Sequence, residues 1–484
     1  MEWKTLMCPD RIRPVSRSSS ADARTEFEKD YQRIVSSASF RRLQDKTQVF
    51  PLDKSDFIRT RLTHSLEVAN FARSIGKMIG DRIISEGKDG GFTAVTKEDI
   101  CSVLECAGLL HDIGNPPFGH FGEDAIRDWF KRNLSKLDYR GGKLIDALTD
   151  QQIGDFYHFE GNTQAVRVVS KLHFIVDEHG MNLTKALLAT IMKYPCSSLE
   201  ISYDKNDPGR DVARKKMGYF AADSDVFESV QKGCGTNGRR HPLAFALEAA
   251  DDIAYRTADI EDAVKKGLVD TGILMSELKA AIDKAKTGDM WSAEQIQTAE
   301  KHLKRLEYYL EKAMTQQYEE PQLYAVQNWV VRVQGVLLTD AVNSFMIHYD
   351  DIMAGEYRKE LLADMPGSLL LEVLGDVAYR YAFLSEPILK LEVAADAIFD
   401  FLLVRFVKAL VYYDTPEWKM HACAVDEKMV GLLSPSFKQV YKIHSNGKSE
   451  NEKLYLRLLL ATDYVSGMTD SYAKRLYREL KGID

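Results

Sequence analysis

The chain has 484 residues, of which 45% are hydrophobic and 28% are charged. This ordinary globular composition allows a large core with two subregions. A net charge of -8 argues against a protein that binds nucleic acid over its whole surface, and six scattered cysteines without a CxxC pair argue against a zinc knuckle or a disulfide framework. With no apolar stretch of membrane-spanning length and no signal-peptide pattern, we expect a cytoplasmic protein.

The first 24 residues precede the first helical pattern. They carry Arg11, Arg13 and Arg17 and a serine run at 18–20. This composition predicts an extended N-terminal arm whose positive charge suits an anionic ligand or an acidic neighbouring subunit. A disordered tail is the alternative interpretation.

Helical periodicity dominates from Glu26 to about Gly267. The predicted loops between these helices span residues 86–95, 134–156 and 203–211. β-Branched alternation is scarce, and Leu199–Tyr203 is at most a minor strand. The first half of the chain is therefore predicted to be helical almost throughout.

The second half continues the same pattern. Residues 270–330 are strongly charged with helical spacing, which is typical of solvated helix faces, and residues 335–484 are helices with apolar cores. The prediction is an all-α fold with an N-terminal arm at 1–24 and a catalytic core at 25–267. A C-terminal helical region at 268–484 is expected to complete the core and to form an oligomer interface.

The most informative motif runs from His111 to Glu123. Adjacent His111 and Asp112 end an apolar run, and an imidazole nitrogen beside a carboxylate oxygen suits a divalent cation such as Mn, Fe, Co or Zn. A glycine and two prolines then stop the helix. His120 and Glu123 follow three residues apart, so they share one face if a helix begins there. Metal ligands followed by an acid/base pair indicate a metal-assisted hydrolase.

Two other stretches supply partners for this motif. His64 lies at the start of a periodic apolar pattern, and Asp251 and Asp252 lie inside an apolar helical run. A carboxylate in such a run is costly unless it is paired or bound to metal. Each residue alone is also explained by a buried histidine in a hydrogen bond or by an acid at a solvated turn, but the combination favours a metal site.

The order His, His-Asp, Asp resembles the ligand order of the HD-domain phosphohydrolases. The resemblance implies that His64, His111, Asp112 and Asp251 are the metal ligands. Two neutral imidazoles and two carboxylates neutralise a dication and can leave coordination positions open for water and phosphate. The expected cofactor is a divalent metal, with Mn or Mg in first place and Co, Fe and Zn as alternatives.

Further stretches resemble one branch of this superfamily, the deoxyguanosine triphosphate triphosphohydrolases (dGTPases). They lie at Ser39–Pro51, His158–Gln164, Met192–Pro195 and Asp463–Asp470. The matches run from about residue 10 to 475 in the family's order and are weakest at 270–390. The family converts a deoxynucleoside triphosphate to deoxynucleoside and inorganic tripolyphosphate in one step.

The resemblance also implies catalytic and phosphate-binding residues. His120 and Glu123 would be the acid/base pair, and His158 would be a third histidine at the reacting phosphate. The triphosphate would be bound by Arg61, Lys193, Tyr194 and Lys216. The choice of Lys216 over Lys215 depends only on the Met-Gly-Tyr-Phe that follows it.

Sugar selection can be argued from spacing and resemblance together. Asp251, Tyr255 and Asp259 follow one another at intervals of four residues, so they share one helix face. The resemblance assigns Gln48 and Asp259 to the ribose 3′-hydroxyl and stacks Tyr255 against the sugar, where its ring would exclude a 2′-hydroxyl. Without the resemblance, Tyr255 is equally well a core aromatic residue.

The leading interpretation is a metal-dependent dNTP triphosphohydrolase, with dGTP as the preferred substrate, that controls the dNTP pool. One alternative is another HD phosphohydrolase, acting on a phosphomonoester, a cyclic dinucleotide or guanosine tetraphosphate, and a second is a non-catalytic nucleotide sensor. The resemblance further implies a homo-oligomer, either hexamer or tetramer, with a nucleotide or single-stranded DNA as a candidate effector and no membrane partner. No short motif identifies the residues that contact the base.

Overall fold

The computed structural model describes residues 1–14, 22–50, 57–174, 176–204, 207 and 209–483. These residues form 22 α-helices and one two-stranded sheet, which confirms the predicted all-α fold. The first half contains α1 (Trp3–Leu6), α2 (Glu26–Val35), α3 (Ala38–Arg41), α4 (Arg61–Ser85), α5 (Ala94–Leu110), α6 (His120–Asn133), α7 (Asp150–Tyr157), α8 (Gly161–Arg167), α9 (Lys185–Ile191), α10 (Ser224–Cys234) and α11 (Pro242–Lys265). The second half contains α12 (Thr271–Thr287), α13 (Ala293–Thr315), α14 (Pro321–Ile347), α15 (Tyr349–Ala354), α16 (Ser368–Val377), α17 (Glu386–Leu410), α18 (Trp418–His421), α19 (Ala424–Leu432), α20 (Pro435–Ser445), α21 (Glu450–Ser466) and α22 (Asp470–Lys481).

Helices α4 and α5 pack closely along their length at the centre of the first half. The buried side of α4 is apolar at helical spacing and includes Val68, Ala72, Ile75, Ile79 and Ile83. Gly108 permits the close approach, because a Cβ atom there would lie 2.5 Å from Cα of Ala69. The start of α4 therefore meets the end of α5, and this contact brings His64 and His111 together.

Helix α11 packs against α4, α5 and α14 and is buried along most of its length. It begins with Pro242 at its first position, after His241, whose Nδ1 accepts a hydrogen bond from the backbone N–H of Leu243. This orientation places Asp251, in the middle of α11, beside the start of α4.

Residues beyond 268 contribute to two apolar cores. The first core combines α4, α5 and α11 with apolar residues of α14 and α16. The second core combines the aromatic residues of α6 and α7 with α17 and α21, and it includes Phe130, Phe156, Phe399 and Phe406. The C-terminal region therefore packs on the same helices that carry the candidate site, while the boundary at 267/268 stays a prediction.

The predicted loop at 134–156 contains more regular structure than expected. Strands β1 (Asp138–Tyr139) and β2 (Gly142–Lys143) pair as an antiparallel hairpin through Arg140 and Gly141, both at positive φ, which is the backbone that suits a tight hairpin turn. Thr149 then caps α7. The weak strand suggested at Leu199–Tyr203 does not form.

The N-terminal segment is not the extended arm that its composition suggested. Residues 3–6 form α1, and Trp3 and Leu6 are buried. Nη1 of Arg11 lies 2.6 Å from Oδ1 of Asp30, and both side chains are buried, so this charge is neutralised within the chain. The partners are distant in sequence, which is why composition alone could not reveal them. Arg17 and the serine run lie outside the described residues.

One described helix, α14, is long and apolar enough to cross a membrane, with a mean hydropathy of 1.3, although the sequence analysis found no such stretch. Its residues Trp329, Val333 and Leu337 are fully buried, and α14 packs against α11 and α13. Asp340 accepts a hydrogen bond from the backbone N–H of Gly367 at 2.6 Å. These contacts are those of a core helix.

Candidate active site

A pocket of about 670 Å³ lies between α4, α6 and α11 and the segments that connect them. Its walls contain most of the residues predicted from the sequence. These are Gln48, Arg61, His111, Asp112, His120, Lys193, Tyr194, Lys216, Asp251 and Tyr255. The fold thus gathers residues from positions 48 to 255 around one cavity of a size suited to a small-molecule ligand.

Three of the four predicted metal ligands converge at one point. Nε2 of His64 and Nε2 of His111 each lie 3.4 Å from Oδ1 of Asp251. The three side chains come from the first turn of α4, the residue after α5 and the middle of α11. Burial opposes ionisation of Asp251, but Lys193 at 3.1 Å, together with the histidines, holds its pKa well below the ordinary value.

Asp112 lies at the edge of this cluster, with Oδ2 at 3.5 Å from Nε2 of His111. The same oxygen accepts a hydrogen bond from Nη1 of Arg61 at 2.6 Å, and Oδ1 accepts one from Nδ2 of Asn115 at 2.5 Å. Burial opposes ionisation of Asp112, but Arg61 and His111 lower its pKa. The Asp112 carboxylate therefore lies next to the cluster and is paired with the guanidinium of Arg61.

The donor set fits a divalent ion. Nδ1–H of His111 donates to the carbonyl of Gly108 at 2.7 Å, which leaves Nε2 facing Asp251, and this buried atom has no hydrogen-bond partner among the described residues. Ligands that share an ion at about 2.0–2.2 Å lie roughly 3–4 Å apart, in agreement with the distances to Asp251. Imidazole with carboxylate is compatible with several first-row metals and does not select one.

The predicted acid/base pair is formed at the first turn of α6. Nδ1 of His120 lies 3.1 Å from Oε2 of Glu123, whose Oε1 accepts a hydrogen bond from the N–H of Gly161 at 2.7 Å. The His120 side chain is 72% exposed on the pocket wall, whereas Glu123 is 2% exposed behind it. The hydrogen bond to Glu123 raises the pKa of His120, and burial of Glu123 is outweighed by His120, which lowers the pKa of Glu123 to about 2.

The backbone before His120 makes room for a cation. Gly119 has a φ of +61°, a left-handed conformation that favours glycine, and a Cβ atom there would collide with the guanidinium of Arg61. The turn that starts α6 and the position of Arg61 therefore depend on the same residue. Arg61 is held between the cluster and His120.

The other predicted phosphate ligands line the pocket with their charges paired. Lys193 contacts Asp251, and Nζ of Lys216 lies 2.8 Å from Oε1 of Glu160. Lys215, the alternative to Lys216, also lines the pocket, with Nζ at 3.1 Å from Glu360. Tyr194 is buried, and burial raises the pKa of its hydroxyl. Both lysines of the pair therefore face the cavity, a result that the sequence pattern could not decide.

The predicted sugar ligands lie along α11 and beside it. Gln48 and Tyr255 line the pocket, and the Tyr255 ring is parallel to Phe383 with centroids 6.4 Å apart. Asp259 is buried next to this wall but does not line the cavity. Neither of its carboxylate oxygens has a hydrogen-bond partner within the described ranges, nor does Oε1 of Gln48. Burial raises the pKa of Asp259 well above its usual value.

His158 is the predicted catalytic residue that the fold does not bring into the pocket. It is an exposed residue at the end of α7. Partial burial of its ring against the protein, together with the positive charges of Lys131 and Arg127, lowers its pKa. The motif that contains His158 contributes Glu160 and Asn162 to the pocket instead.

Some pocket residues were absent from the sequence-based set. Tyr379, Phe383, Leu384 and Glu392 come from the region 270–390 or its edge, where the resemblance was weakest. Asn115 and Glu160 lie inside motifs that were noted, and both are buried polar residues. Tyr379 and Leu384 have large, exposed side chains. Exposed apolar side chains that lie close together often mark a binding surface.

Comparison with known proteins places this geometry in a family. The family model described as HD domain matches residues 61–149, which include His64, His111 and Asp112. A protein of Listeria monocytogenes named deoxyguanosinetriphosphate triphosphohydrolase-like is 44% identical over the full length of both chains. One of the same name from Synechocystis is 33% identical, also over the full length of both.

A deoxyguanosinetriphosphate triphosphohydrolase of Yersinia enterocolitica is 31% identical over 98% of this chain and 97% of its own length. Similarity of this extent covers the helices that carry the cluster, the His120 and Glu123 pair and the C-terminal region alike. The chain therefore belongs to the deoxyguanosinetriphosphate triphosphohydrolase family of HD-domain proteins.

Proposed function

We propose that the protein is a metal-dependent triphosphohydrolase that converts dNTPs, with dGTP preferred, to deoxynucleoside and inorganic tripolyphosphate. The observation that carries this proposal is the placement of His120 on the same pocket as the His64, His111 and Asp251 cluster. Arg61, Lys193 and Lys216 supply positive charge within that pocket. A metal cluster, an acid/base group and several cations are what attack at a phosphorus atom requires.

A divalent ion held by His64, His111, Asp112 and Asp251 would lower the pKa of water from 15.7 towards about 7 and shield phosphate charge. In the reaction, water attacks the α-phosphorus, the bond to the 5′-oxygen breaks, and that oxygen takes up a proton. His120, whose pKa is raised by Glu123, holds a proton that it can give to the departing 5′-oxygen. Glu123 orients the imidazole and stabilises its protonated form.

The pocket cations bind the triphosphate in this proposal. Arg61 can present a planar pair of N–H donors to phosphate oxygens, and Lys193 and Lys216 can present point charges. We also assign His158 to the reacting phosphate. This assignment rests on the resemblance alone, because His158 does not line the pocket in the structure.

Sugar selection follows from the residues next to Asp251. We expect GTP to be a poor substrate because a 2′-hydroxyl would meet the Tyr255 ring, and ddGTP to be poor because Gln48 and Asp259 would lose a partner. An unpaired buried polar group costs about 1–3 kcal/mol. In steady-state assays, Tyr255→Ala should lower the ratio of dGTP to GTP turnover. Gln48→Ala should lower the ratio of dGTP to ddGTP turnover.

Tyr255→Phe is the matched control, since it keeps the ring and removes only the hydroxyl. It should retain the wild-type discrimination against GTP. Wild-type turnover of GTP as fast as that of dGTP would contradict both this assignment and the proposed activity.

In this proposal the base lies against the apolar part of the pocket wall. Tyr379 and Phe383 belong to a π-helical turn at Ala378–Phe383, a rare backbone form that is frequent at functional sites, and with Leu384 they offer apolar surface to a ring. Glu392 contributes a carboxylate to the lining of the same pocket. Only guanine presents two adjacent donors, N1–H and the 2-amino group, that a carboxylate can accept together.

Glu392→Gln should therefore reduce kcat/KM for dGTP more than for dATP or dCTP, because an amide accepts only one of the two donors. Rates with each dNTP alone measure this. Glu386→Gln, an exposed carboxylate one and a half turns earlier on α17, is the matched control. Equal losses on all substrates would remove Glu392 from base recognition.

The proposed activity is tested by incubating purified protein with Mn or Mg and each nucleoside triphosphate, followed by chromatography of the products. Tripolyphosphate with a deoxynucleoside supports the proposal. Orthophosphate as the only phosphate product would favour another HD phosphohydrolase, and nucleotide binding without turnover would favour a nucleotide sensor.

The metal, assembly and location belong to the same proposal. We expect Mn or Mg in the site, a homo-oligomer of four or six chains, and a cytoplasmic location, with a nucleotide or single-stranded DNA as a candidate effector. Leu389 and Val393 are exposed one turn apart on α17, which supports an interface in the C-terminal region. Elemental analysis and analytical ultracentrifugation test the metal and the assembly.

A further inference from the structure

Asp470, the first residue of α22, joins two segments of the candidate active site. Its Oδ1 accepts a hydrogen bond from the backbone N–H of Phe118 at 2.9 Å. Its Oδ2 accepts two from Thr47, at 3.0 Å from the backbone N–H and at 2.6 Å from the hydroxyl. The carboxylate is 1% exposed. One buried side chain near the C-terminus thus contacts segments more than 350 residues away.

The two segments carry different parts of the proposed chemistry. Phe118 lies between Asp112 and His120, on the loop that connects the metal cluster to the acid/base pair. Thr47 precedes Gln48, which lines the pocket and is proposed to bind the 3′-hydroxyl. Asp470 therefore spans the loop of the reacting phosphate and the segment of the 3′-hydroxyl.

Lys46 makes a second set of hydrogen bonds between its own segment, the loop after Asp112 and the C-terminal helices. Nζ of Lys46 donates to the carbonyl of Asn115 and, at 3.0 Å, to the carbonyl of Ser466. Lys46 is 3% exposed, and burial lowers its pKa to about 7. Its own carbonyl accepts a hydrogen bond from the N–H of Arg61 at 2.9 Å, which joins this segment to the start of α4.

The loop depends on this contact because its backbone is strained. Phe118 has a φ of +60°, in the left-handed region that side chains other than glycine rarely adopt. The hydrogen bond from its N–H to Oδ1 of Asp470 favours that conformation. Without Asp470, the buried N–H of Phe118 and the partly buried N–H of Thr47 would both lose their acceptor.

We propose that Asp470 is a positioning residue that sets the distance between Gln48 and the 112–120 loop, so that one substrate can engage both ends of the pocket. The inference rests on the proposed dNTP hydrolysis and adds a residue that touches neither substrate nor metal. Its consequence is that the start of α22 determines both the rate of reaction and the discrimination at the 3′-hydroxyl.

The test uses Asp470→Asn, which keeps the shape of the side chain. An amide offers one acceptor oxygen and one NH₂ donor, so it can accept from Phe118 or from Thr47 but not from both. We expect kcat for dGTP to fall roughly 10–100-fold, the usual loss when a supporting contact around a metal site is removed. The ratio of dGTP to ddGTP turnover should fall as well, while the melting temperature stays close to that of the wild type.

Matched variants separate positioning from general loosening of α22. Ser471→Ala removes the neighbouring hydrogen bond, in which Oγ of Ser471 donates to Asp45 at 2.8 Å, and it should leave both kcat and the ratio unchanged. Thr47→Ser retains the hydroxyl and should keep the ratio, whereas Thr47→Val should lower it. Equal effects of Ser471→Ala and Asp470→Asn, or a loss of kcat with an unchanged ratio, would overturn the proposal.

Hydrogen–deuterium exchange gives a readout that does not depend on turnover. In Asp470→Asn, peptides that cover residues 44–50 and 112–121 should exchange faster than in the wild type and in Ser471→Ala. Failure of the proposed function would appear as wild-type protein that releases no tripolyphosphate. In that case, faster exchange confined to these peptides still supports the positioning role, and unchanged exchange overturns it.

Discussion

Asp251→Ala is expected to abolish turnover and to remove bound metal while leaving the helical circular dichroism intact. Oδ1 of Asp251 is the atom that both histidine Nε2 atoms face at 3.4 Å, so the variant removes the centre of the cluster. Asp112→Ala should have the same effect, because its carboxylate supplies the remaining negative charge for a dication. Activity assays with added Mn and elemental analysis of the purified variants measure the two effects.

Asp252→Ala is the matched control, one residue further along α11. Asp252 also lines the pocket, and burial raises its pKa to about 7, but it is not part of the cluster. We expect a much smaller loss of activity and normal metal content. Full activity of Asp251→Ala in excess metal would eliminate the proposed metal site.

His120→Ala should lower kcat by roughly 10²–10⁴, the usual contribution of a positioned acid or base, with little change in KM. Glu123→Gln should lower kcat as well and should change the pH profile. Because Glu123 raises the pKa of His120, a protonated His120 persists to higher pH in the wild type. If His120 is the acid, kcat falls as pH rises through this pKa, and the fall should begin at lower pH in Glu123→Gln.

Asp124→Asn tests whether any carboxylate on this turn has the same effect. Asp124 is exposed and is paired with Arg127 at 2.5 Å, away from the imidazole. Its pH profile should match that of the wild type. A His120→Ala variant that loses affinity but keeps kcat would instead assign His120 to phosphate binding.

Local motifs carried most of the information about this site. Thirteen residues contain His111, Asp112, His120 and Glu123, and the turn between the two pairs contains glycine and proline. Their proximity could therefore be predicted without knowledge of tertiary contacts. His64 and Asp251 needed the resemblance, because only the close packing of α4, α5 and α11 brings them to the same point.

The remaining differences arise from contacts between distant segments. Arg11 pairs with Asp30, and Asp470 accepts from Phe118, although nothing in the local sequence indicates either partner. Phe383 lines the pocket because its π-helical turn packs against α11, and Glu392 lines it because α17 packs against α6. His158 shows the opposite case, where a polar residue in a matching motif lies outside the cavity. Periodicity predicts helices well but not which of their ends meet.

The pairing of pocket cations with carboxylates has a consequence for product release. Lys193 and Lys216 contact Asp251 and Glu160, and Arg61 contacts Asp112. When tripolyphosphate leaves, each cation regains an internal counter-ion, so departure does not strand a buried positive charge. The same carboxylates compete with the product for these cations, so the product is bound less tightly than it would be by unpaired lysines. Neutralising Glu160 should therefore make tripolyphosphate a tighter inhibitor.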